Sequence, residues 1–296
     1  MLKHLNEKAT PPRRVVLLGA RGFIGVRLAA ELGRLGVATL ALGSADIDLT
    51  AADGQARLEA LLRPDDSVIM LSALTPDKGK GSDTLLRNLA MARTVCEALA
   101  KVGCAHAVYV SSDAVYAADQ SLVSEETPPS PGDLYGVMHL ARELMFKAVP
   151  KLPLTIVRPT LVYGLADTHN SYGPNRFRRN AEKDGRINLF GNGDETRDHV
   201  FVDDVARLLA QILLMRTVGL LNIATGHSHT FRATAELVAA TFDTKVEVVP
   251  SASASVYAVT HRHYDITALH AAFPEMRYLP LEEGVRRVRR EATGQA

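Results

Sequence analysis

The stretch Arg14-Val15-Val16-Leu17-Leu18-Gly19-Ala20-Arg21-Gly22-Phe23-Ile24-Gly25 decides the fold of this 296-residue chain. Residues 15–18 form a continuous apolar run, which is typical of a parallel strand buried on both faces. Three glycines follow at the spacing G-x-x-G-x-x-G, and residues 23–35 carry apolar side chains at helical spacing. Strand, glycine turn and helix in this order predict a mononucleotide-binding unit, whereas the alternative is a turn that binds nothing.

Each glycine of such a unit has its own physical reason. The first lets the chain turn tightly, the second lets the backbone approach a pyrophosphate, and the third lets the helix pack closely on the strand. The helix N-terminus adds free N–H groups and a positive dipole end. The predicted cofactor contacts in this unit are Gly19, Arg21, Gly22, Phe23, Ile24 and Gly25.

The ends of the next two strands add further cofactor contacts. An acidic residue after the second strand often binds the adenosine ribose, but Gly43-Ser44 stands there. Arg21 could face a 2′-phosphate instead, which slightly favours NADP over NAD, although a solvated loop arginine fits equally well. We also expect Asp48 and Leu49 to cover the adenine, and Ser72 and Ala73 to lie beside the cofactor.

Composition narrows the class of protein. The chain is 47% hydrophobic with a net charge of +1, so nucleic acid and an acidic membrane surface are not expected partners. The two cysteines, Cys96 and Cys104, are too few for a disulfide framework, which favours a cytoplasmic location. No metal site is predicted, because the histidine pairs lack a carboxylate at metal-ligand spacing. Residues 1–13 are polar and are predicted to form a loose tail.

Strands and helices alternate through the rest of the first half. Strands are predicted over residues 37–42, 67–73, 106–110 and 154–158, and helices over residues 51–62, 82–102 and 135–148. Short connections between such units predict a doubly wound parallel α/β sheet, the Rossmann arrangement.

Several motifs occur in a specific order. They are Gly19/Gly22/Gly25, Asn88, Ser111-Ser112-x-x-Val115-Tyr116, Tyr135-x-x-x-His139, Arg158-Pro159-Thr160-x-Val162-Tyr163-Gly164 and Phe190-Gly191-x-Gly193-x-x-x-Arg197-Asp198. Together they resemble the extended short-chain dehydrogenase/reductase family, in its nucleotide-sugar epimerase, dehydratase and reductase group. The resemblance implies a Rossmann domain of residues 13–165 plus about 198–226. It also implies a small C-terminal α+β substrate lobe of residues 166–197 and 227–296. It adds Asn88, Ser111, Tyr135 and His139 to the cofactor contacts.

The resemblance also assigns the acid and base to Tyr135. A phenol has a pKa near 10, and it must fall before the group can act as a base at neutral pH. In the family a lysine one helical turn later lowers it and holds the nicotinamide ribose, but this sequence has His139 there. A neutral imidazole can still bond a ribose hydroxyl, yet it supplies no full charge unless its pKa is raised.

Ser112 and Asp113, which come earlier in the chain than the tyrosine, complete the predicted catalytic set. Ser112 matches the family residue that bonds the reacting oxygen and the tyrosine. Asp113 matches the aspartate of the dehydratase branch, whose neighbouring glutamate is replaced by Ala114, so 4,6-dehydration is not expected. A turn aspartate bonded to nearby backbone is an equally good interpretation of Asp113.

The substrate contacts follow from the resemblance too. Arg197 would grip the diphosphate of a nucleotide sugar, unless it is a surface arginine paired with Asp194 or Asp198. The full predicted set is Ser112, Asp113, Tyr116, Asn175, Arg176 and Arg197.

Two functions compete at this point. The first is an NAD- or NADP-dependent nucleotide-sugar oxidoreductase, either an epimerase or a 4-keto-sugar reductase, active as a homodimer. The second is a catalytically weakened or inactive NAD(P)-binding regulatory or structural paralogue. The loss of the lysine supports the second, and the retention of both Ser112 and Tyr135 supports the first.

Overall fold

The apolar run of residues 15–18 is a fully buried strand near one side of a seven-stranded sheet. The structure is a computed structural model that describes residues 2–251 and 261–295. The strands of that part of the chain are β1 Lys3–His4, β2 Val15–Leu18, β3 Thr39–Leu42, β4 Ser67–Met70, β5 His106–Val110, β6 Leu122–Val123, β7 Leu154–Pro159, β8 Leu161–Tyr163, β9 Arg186–Asn188, β10 Thr196–Phe201, β11 Thr217–Ile223, β12 Ser228–Thr230, β13 Glu247–Val249 and β14 His263–Tyr264. The helices are α1 Phe23–Arg34, α2 Gly54–Leu61, α3 Ser82–Val102, α4 Leu134–Lys147, α5 Pro174–Asp184, α6 Val202–Met215, α7 Phe231–Ala239, α8 Thr267–Ala272 and α9 Leu281–Thr293.

The large sheet has the order β1-β11-β7-β5-β4-β2-β3, and every neighbouring pair except β1 and β11 is parallel. The chain passes from β2 to β3 on one side and then crosses to β4 on the other. A crevice for a ligand forms at the carboxyl ends of the strands where the order reverses in this way. The predicted doubly wound parallel sheet is confirmed.

Helices cover both faces of this sheet, which explains the unbroken apolar run of β2. Val15 and Leu17 pack with Leu28 and Leu32 of α1 and with α6. Val16 and Leu18 point to the opposite face and share a cluster with α2, α3 and α4. Because neither face meets water, the strand shows no alternation of polar and apolar residues.

The N-terminal segment differs from its prediction. Residues 2–6 do not form a loose tail, because Lys3–His4 pairs antiparallel with β11. The imidazole of His4 hydrogen-bonds Thr217 Oγ1 at 2.9 Å and the Ala272 carbonyl oxygen at 2.9 Å. The polar composition of this segment predicts no strand. A short edge strand forms through backbone hydrogen bonds and does not require apolar side chains.

A third apolar cluster gathers side chains beyond the large sheet. Its buried members come mainly from α5, α7, α9 and the short strands β8 to β10, and include Phe177, Phe231 and Val285. These are mostly segments that the sequence assigns to the substrate lobe. The exact boundaries of the two lobes stay a prediction. Within the described ranges, no helix is both long and apolar enough to cross a membrane.

Candidate active site

A cleft of about 670 Å³ opens at the carboxyl ends of β2, β3, β4, β5 and β7. It brings together most of the residues that the sequence predicts for cofactor binding. Those that border the cleft are Gly19, Arg21, Gly22, Phe23, Ile24, Gly25, Asp48, Leu49, Ser72, Ala73, Ser111, Tyr135 and His139. Ser112 and Asp113 border it as well, so the predicted catalytic residues share one wall.

The glycine turn forms the floor of the cleft for steric reasons. Gly19 has a φ of +95°, and a Cβ atom there would lie 2.8 Å from the backbone nitrogen of Ser72. A Cβ atom on Gly25 would collide with the carbonyl oxygen of Gly19. Gly22 caps α1, so the free N–H groups of that helix open toward the turn. This backbone fits the pyrophosphate of a nicotinamide dinucleotide.

A carboxylate that the sequence analysis did not assign lies beside Gly43 and Arg21, two residues that border the cleft. Asp46 accepts a hydrogen bond from the Gly43 nitrogen at 2.8 Å and forms an ion pair with Arg21 at 3.1 Å. The Arg21 guanidinium therefore already has an anionic partner, which reduces its availability to a 2′-phosphate.

Asn88 lies behind the cleft rather than in its wall. Its Oδ1 accepts from the Leu74 nitrogen at 2.8 Å, and its Nδ2 donates to the carbonyl oxygens of Leu74 and Thr84. The side chain is buried, although it lies on a helix that has one face toward solvent. It fixes the turn after β4 and positions Ser72 and Ala73 indirectly.

A glycine that the sequence analysis overlooked brings Tyr135 to Ser112. A Cβ atom on Gly136 would collide with the Ala114 carbonyl oxygen, so only glycine lets α4 pack on the 3₁₀ turn Asp113–Val115. Asp133 caps α4 by accepting from the Gly136 nitrogen at 2.8 Å. The Ser112 hydroxyl is consequently a hydrogen-bonding neighbour of the Tyr135 phenol.

Burial decides the ionisation states of Tyr135 and His139 in the protein alone. Burial and the nearby Asp113 charge raise the pKa of Tyr135 to about 12, although Ser112 lowers it. Burial and then the repulsion of Arg142 hold the pKa of His139 well below its usual value. In the protein alone the imidazole is neutral, so it does not supply the charge with which the family's lysine lowers the tyrosine pKa.

His139 nevertheless lies in the place that its spacing predicts. The ring is 2% exposed and meets Tyr135 edge-on, with centroids 4.6 Å apart. Its Nδ1 lies 2.8 Å from the Tyr109 hydroxyl, and its Nε2 has no hydrogen-bond partner among the described residues. His139 is therefore a buried residue of the cleft wall.

Asp113 contacts side chains from a segment that lies about 150 residues later in the chain. Its Oδ2 accepts from the Tyr264 hydroxyl at 2.7 Å and lies 3.6 Å from an Arg262 nitrogen. A purely local turn contact is thus not its role in the fold. The aspartate joins β14 to the turn after β5.

Two of the predicted substrate residues, Tyr116 and Asn175, are buried away from the cleft. Tyr116 is buried, and its hydroxyl donates to Asn222 Oδ1 at 2.7 Å, so it faces the core. Asn175 is also buried and bonds the Gly164 nitrogen and Asp167. Both side chains support loops and do not border the cleft.

The two predicted arginines, Arg176 and Arg197, do not border the cleft, and each contacts neighbouring side chains or backbone. Arg176 stacks over the ring of Phe190, 5.6 Å from its centroid. Arg197 donates to the Thr196 carbonyl oxygen at 2.8 Å and lies 4.0 Å from Glu195, while burial lowers its pKa. The Asp198 carboxylate accepts from the backbone nitrogens of Thr225 and Gly226.

Other cleft residues escaped the sequence analysis. They include Lys78, Arg87 and His169, the last of which lies 3.3 Å from Asp77. Arg87 directly precedes Asn88, so its place on α3 was the available signal. Across residues 2–251 and 261–295, no group of three or more His, Cys, Asp or Glu side chains could hold a metal ion.

Comparison with known proteins agrees with this geometry. The model of the NAD dependent epimerase/dehydratase family matches residues 15–224. An Escherichia coli O157:H7 N-acetyl-alpha-D-glucosaminyl-diphospho-ditrans,octacis-undecaprenol 4-epimerase is 26% identical over 66% of this chain and 61% of its own. A Mycolicibacterium smegmatis UDP-glucose 4-epimerase is 28% identical over 65% of this chain and 70% of its own. The solved structure of MoeE5 in complex with UDP-glucuronic acid and NAD has a TM-score of 0.83 and 24% identity, covering 96% of this chain and 100% of its own.

The chain belongs to the NAD dependent epimerase/dehydratase family. The predicted membership and the predicted nicotinamide dinucleotide cofactor, NAD or NADP, are confirmed by this match. At 24% identity the solved structure establishes the fold. The aligned segment spans 61% of the length of the E. coli relative.

Proposed function

We propose that this protein is an NAD-dependent oxidoreductase of nucleotide-diphosphate sugars that acts as an epimerase. The observation that carries the proposal is the meeting of Ser112, Tyr135 and His139 in one cleft with the glycine turn. A protein that only binds a dinucleotide needs the turn but not the serine and tyrosine. The 4-epimerase names of the two relatives described above support the same choice.

The side chains divide the chemistry between them. Tyr135 takes the proton of a sugar hydroxyl and returns it, while Ser112 holds the reacting oxygen by a hydrogen bond. The bound dinucleotide supplies hydride exchange and, when oxidised, a positive charge that favours the phenolate. Such a charge is needed because the pKa of Tyr135 is about 12 in the protein alone.

The adenosine end supports NAD over NADP. The Asp46 carboxylate would repel a 2′-phosphate, and it already pairs with the one arginine of the glycine turn. The slight preference for NADP drawn from Arg21 is therefore replaced by a preference for NAD.

On the substrate side we assign the diphosphate to Arg197 and Arg176. The partly buried guanidinium of Arg197 has a lowered pKa but remains charged, and a diphosphate would offset its desolvation. The sugar would then lie between these arginines and Ser112.

We also propose a cytoplasmic homodimer. Leu86 on α3 is 62% exposed and Leu144 on α4 is 58% exposed, and these two helices pack side by side. Exposed apolar residues on adjacent helices favour a helical interface with a second copy. Both cysteines are free thiols, which suits a reducing compartment.

A catalytically weakened dinucleotide-binding paralogue is the second candidate. The neutral His139 and the high pKa of Tyr135 favour it, because neither residue is charged for proton transfer in the protein alone. It predicts that the dinucleotide binds with ordinary affinity while no sugar is converted.

One experiment separates these candidates. The purified protein is denatured and released nucleotides are identified by mass spectrometry. A panel of UDP-sugars is then followed by NMR, with and without added NADPH. An epimerase interconverts two sugars without consuming NADPH, and a reductase consumes NADPH with a 4-keto sugar. Binding without conversion favours the paralogue, and the absence of both overturns the proposal.

A further inference from the structure

Arg142 is a buried charge that the proposed function has not used. It lies on α4 two turns after Tyr135 and is 0% exposed. It donates to the Ser72 carbonyl oxygen at 2.7 Å, and it also contacts the sulfur atoms of Met70 at 3.3 Å and Met138 at 3.7 Å. A guanidinium stays protonated in proteins, so the charge is permanent.

No carboxylate balances this charge in the described part of the chain. The ion pairs of residues 2–251 and 261–295 do not include Arg142, and the adjacent Glu143 is paired with Arg158 at 2.7 Å. A buried charge without an ion-pair partner has a large desolvation cost. Ser72, whose carbonyl oxygen accepts from the guanidinium, borders the cleft, so negative charge that forms in the cleft would be stabilised by Arg142.

Tyr109 on β5 links Arg142 to His139. The guanidinium carbon lies 5.3 Å from the Tyr109 ring centroid, and the phenol hydrogen-bonds His139 Nδ1 at 2.8 Å. Burial raises the pKa of Tyr109, so its hydroxyl keeps its proton. In the described residues that proton has one acceptor within reach, which is Nδ1. The imidazole proton must then be on Nε2.

We propose that Arg142 and Tyr109 are positioning residues that act through His139 and the cleft. Arg142 provides a fixed positive charge behind the cleft. Tyr109 holds His139 as a neutral imidazole whose Nε2–H can donate to a ligand in the cleft. The ligand group that this donor suits is a hydroxyl oxygen of the dinucleotide or of the sugar. The inference rests on the proposed function for the identity of that ligand, but the tautomer and the charge are properties of the protein alone.

The surroundings of the imidazole agree with this division. The titratable and charged groups around it are Tyr135 and Arg142 on α4, Tyr109 on β5 and, beyond Arg142, Cys96 on α3. Asp113 approaches from the far side of Tyr135. The Arg142 charge opposes protonation of His139 and favours ionisation of Tyr135. Both effects stabilise a neutral imidazole beside a phenolate.

The first test is spectroscopic and needs no activity. In protein labelled with ¹⁵N-histidine, His139→Gln identifies the resonances of His139. We expect Nδ1 without a proton and Nε2 with one from pH 5 to 8. Tyr109→Phe should give a mixture of tautomers, and Arg142→Met should raise the pKa of His139 by at least one unit. The control Phe146→Leu, which alters a ring stacked on Tyr109 at 5.0 Å, should change neither.

The second test measures the consequence for the cleft. Turnover should rise with pH as Tyr135 ionises. Arg142→Met should move the midpoint of that rise upward by about one pH unit, which is a tenfold loss of turnover at a fixed pH below the midpoint. His139→Lys alone should be impaired, because two cations would then be adjacent. Combining it with Arg142→Met should recover at least tenfold of that loss, since a single charge then remains.

The outcomes distinguish this inference from the proposed function. A protonated Nδ1 at neutral pH, or unchanged His139 resonances in Tyr109→Phe, overturns the assigned tautomer. An unchanged His139 pKa in Arg142→Met overturns the assigned charge. Failure of the wild-type protein to bind NADH, with the expected spectra intact, overturns the proposed function instead.

Discussion

The guanidinium of Arg158 donates two hydrogen bonds to the carboxylate of Glu143, at 2.9 and 2.7 Å, where both side chains are almost fully buried. The same carboxylate accepts from Ser111 at 2.6 Å, and the same guanidinium donates to the Tyr116 hydroxyl at 2.9 Å. The pair therefore joins α4 to β7 and to the turn that carries Ser112.

Glu143→Ala should destabilise the protein by about 3–5 kcal/mol, because it leaves the buried Arg158 charge without a partner. Urea unfolding measures this change. Glu282→Ala, which breaks an exposed pair with Arg286, is the matched control and should change stability by less than about 1 kcal/mol. Equal effects of the two variants would show that the Glu143 pair has no special structural weight.

Tyr135→Phe should reduce turnover by about 10²–10⁴-fold while leaving dinucleotide affinity within a few-fold, because only the proton-transfer group is removed. Steady-state kinetics and NADH fluorescence titration measure the two quantities. Tyr163→Phe removes another buried phenol, one with no partner in the described residues, and should leave turnover unchanged. Undiminished turnover in Tyr135→Phe would remove the acid and base assignment.

Asp46→Ala should shift cofactor preference toward NADP by at least about tenfold, since it frees Arg21 and removes a repulsive carboxylate. The measurement is the ratio of dissociation constants for NADPH and NADH. Asp48→Ala removes an equal charge from the same loop without touching Arg21, and we expect a smaller shift in that ratio. A ratio that is the same in wild type and Asp46→Ala would contradict the role given to Asp46.

Stability should fall as the pH drops below about 6.5. Burial lowers the pKa of His106 to about 4 and that of His199 to about 3, and it also lowers the pKa of His139. The unfolded chain binds protons at these sites near pH 6.5 while the folded protein does not. Each histidine therefore removes about 1.4 kcal/mol of stability per pH unit between the two pKa values.

Asp198 acts in the opposite sense, because burial raises its pKa to about 6 and the folded protein takes up its proton first. Burial raises the pKa of Glu125 and Asp204 as well, so these carboxyls act in the same sense as Asp198, while His229 acts with the other histidines because burial lowers its pKa. The histidines begin to lose stability near pH 6.5, before the carboxyls are protonated, so the expected net change is a loss, measurable by urea unfolding at pH 7.5, 6 and 5. His199→Leu should remove part of the acid sensitivity, whereas the exposed His270→Leu should not. A pH-independent stability would contradict the assigned neutrality of these rings.

The proposed dimer predicts a matched set of surface variants. Leu86→Asp and Leu144→Asp should produce a monomer, because each puts a charge into the apolar face of α3 and α4. Light scattering coupled to size exclusion measures the mass. Leu122→Asp has the same exposure, 57% against 58% for Leu144, but lies on β6 and should leave the mass unchanged. A wild-type monomer at micromolar concentration would refute the dimer.

The sequence by itself determined the sheet, the glycine turn and the neighbourhood of Tyr135. Residues 15–18 and Ser82–Val102 could be assigned because periodicity and glycine spacing are local, and parallel strands then bring their carboxyl ends to one edge. The family resemblance added Ser112 and His139 to the predicted site, and both side chains border the cleft.

Only the tertiary structure decided the charges and the supporting contacts. Whether His139 is charged depends on burial and on Arg142, and whether Arg21 is available depends on Asp46. Tyr116, Asn175 and Asn88 have hydrogen-bonding side chains that suit a ligand, yet each is engaged with other parts of the chain. Sequence spacing fixes which residues can meet along one helix or strand, whereas desolvation and pairing are set by neighbours from distant segments.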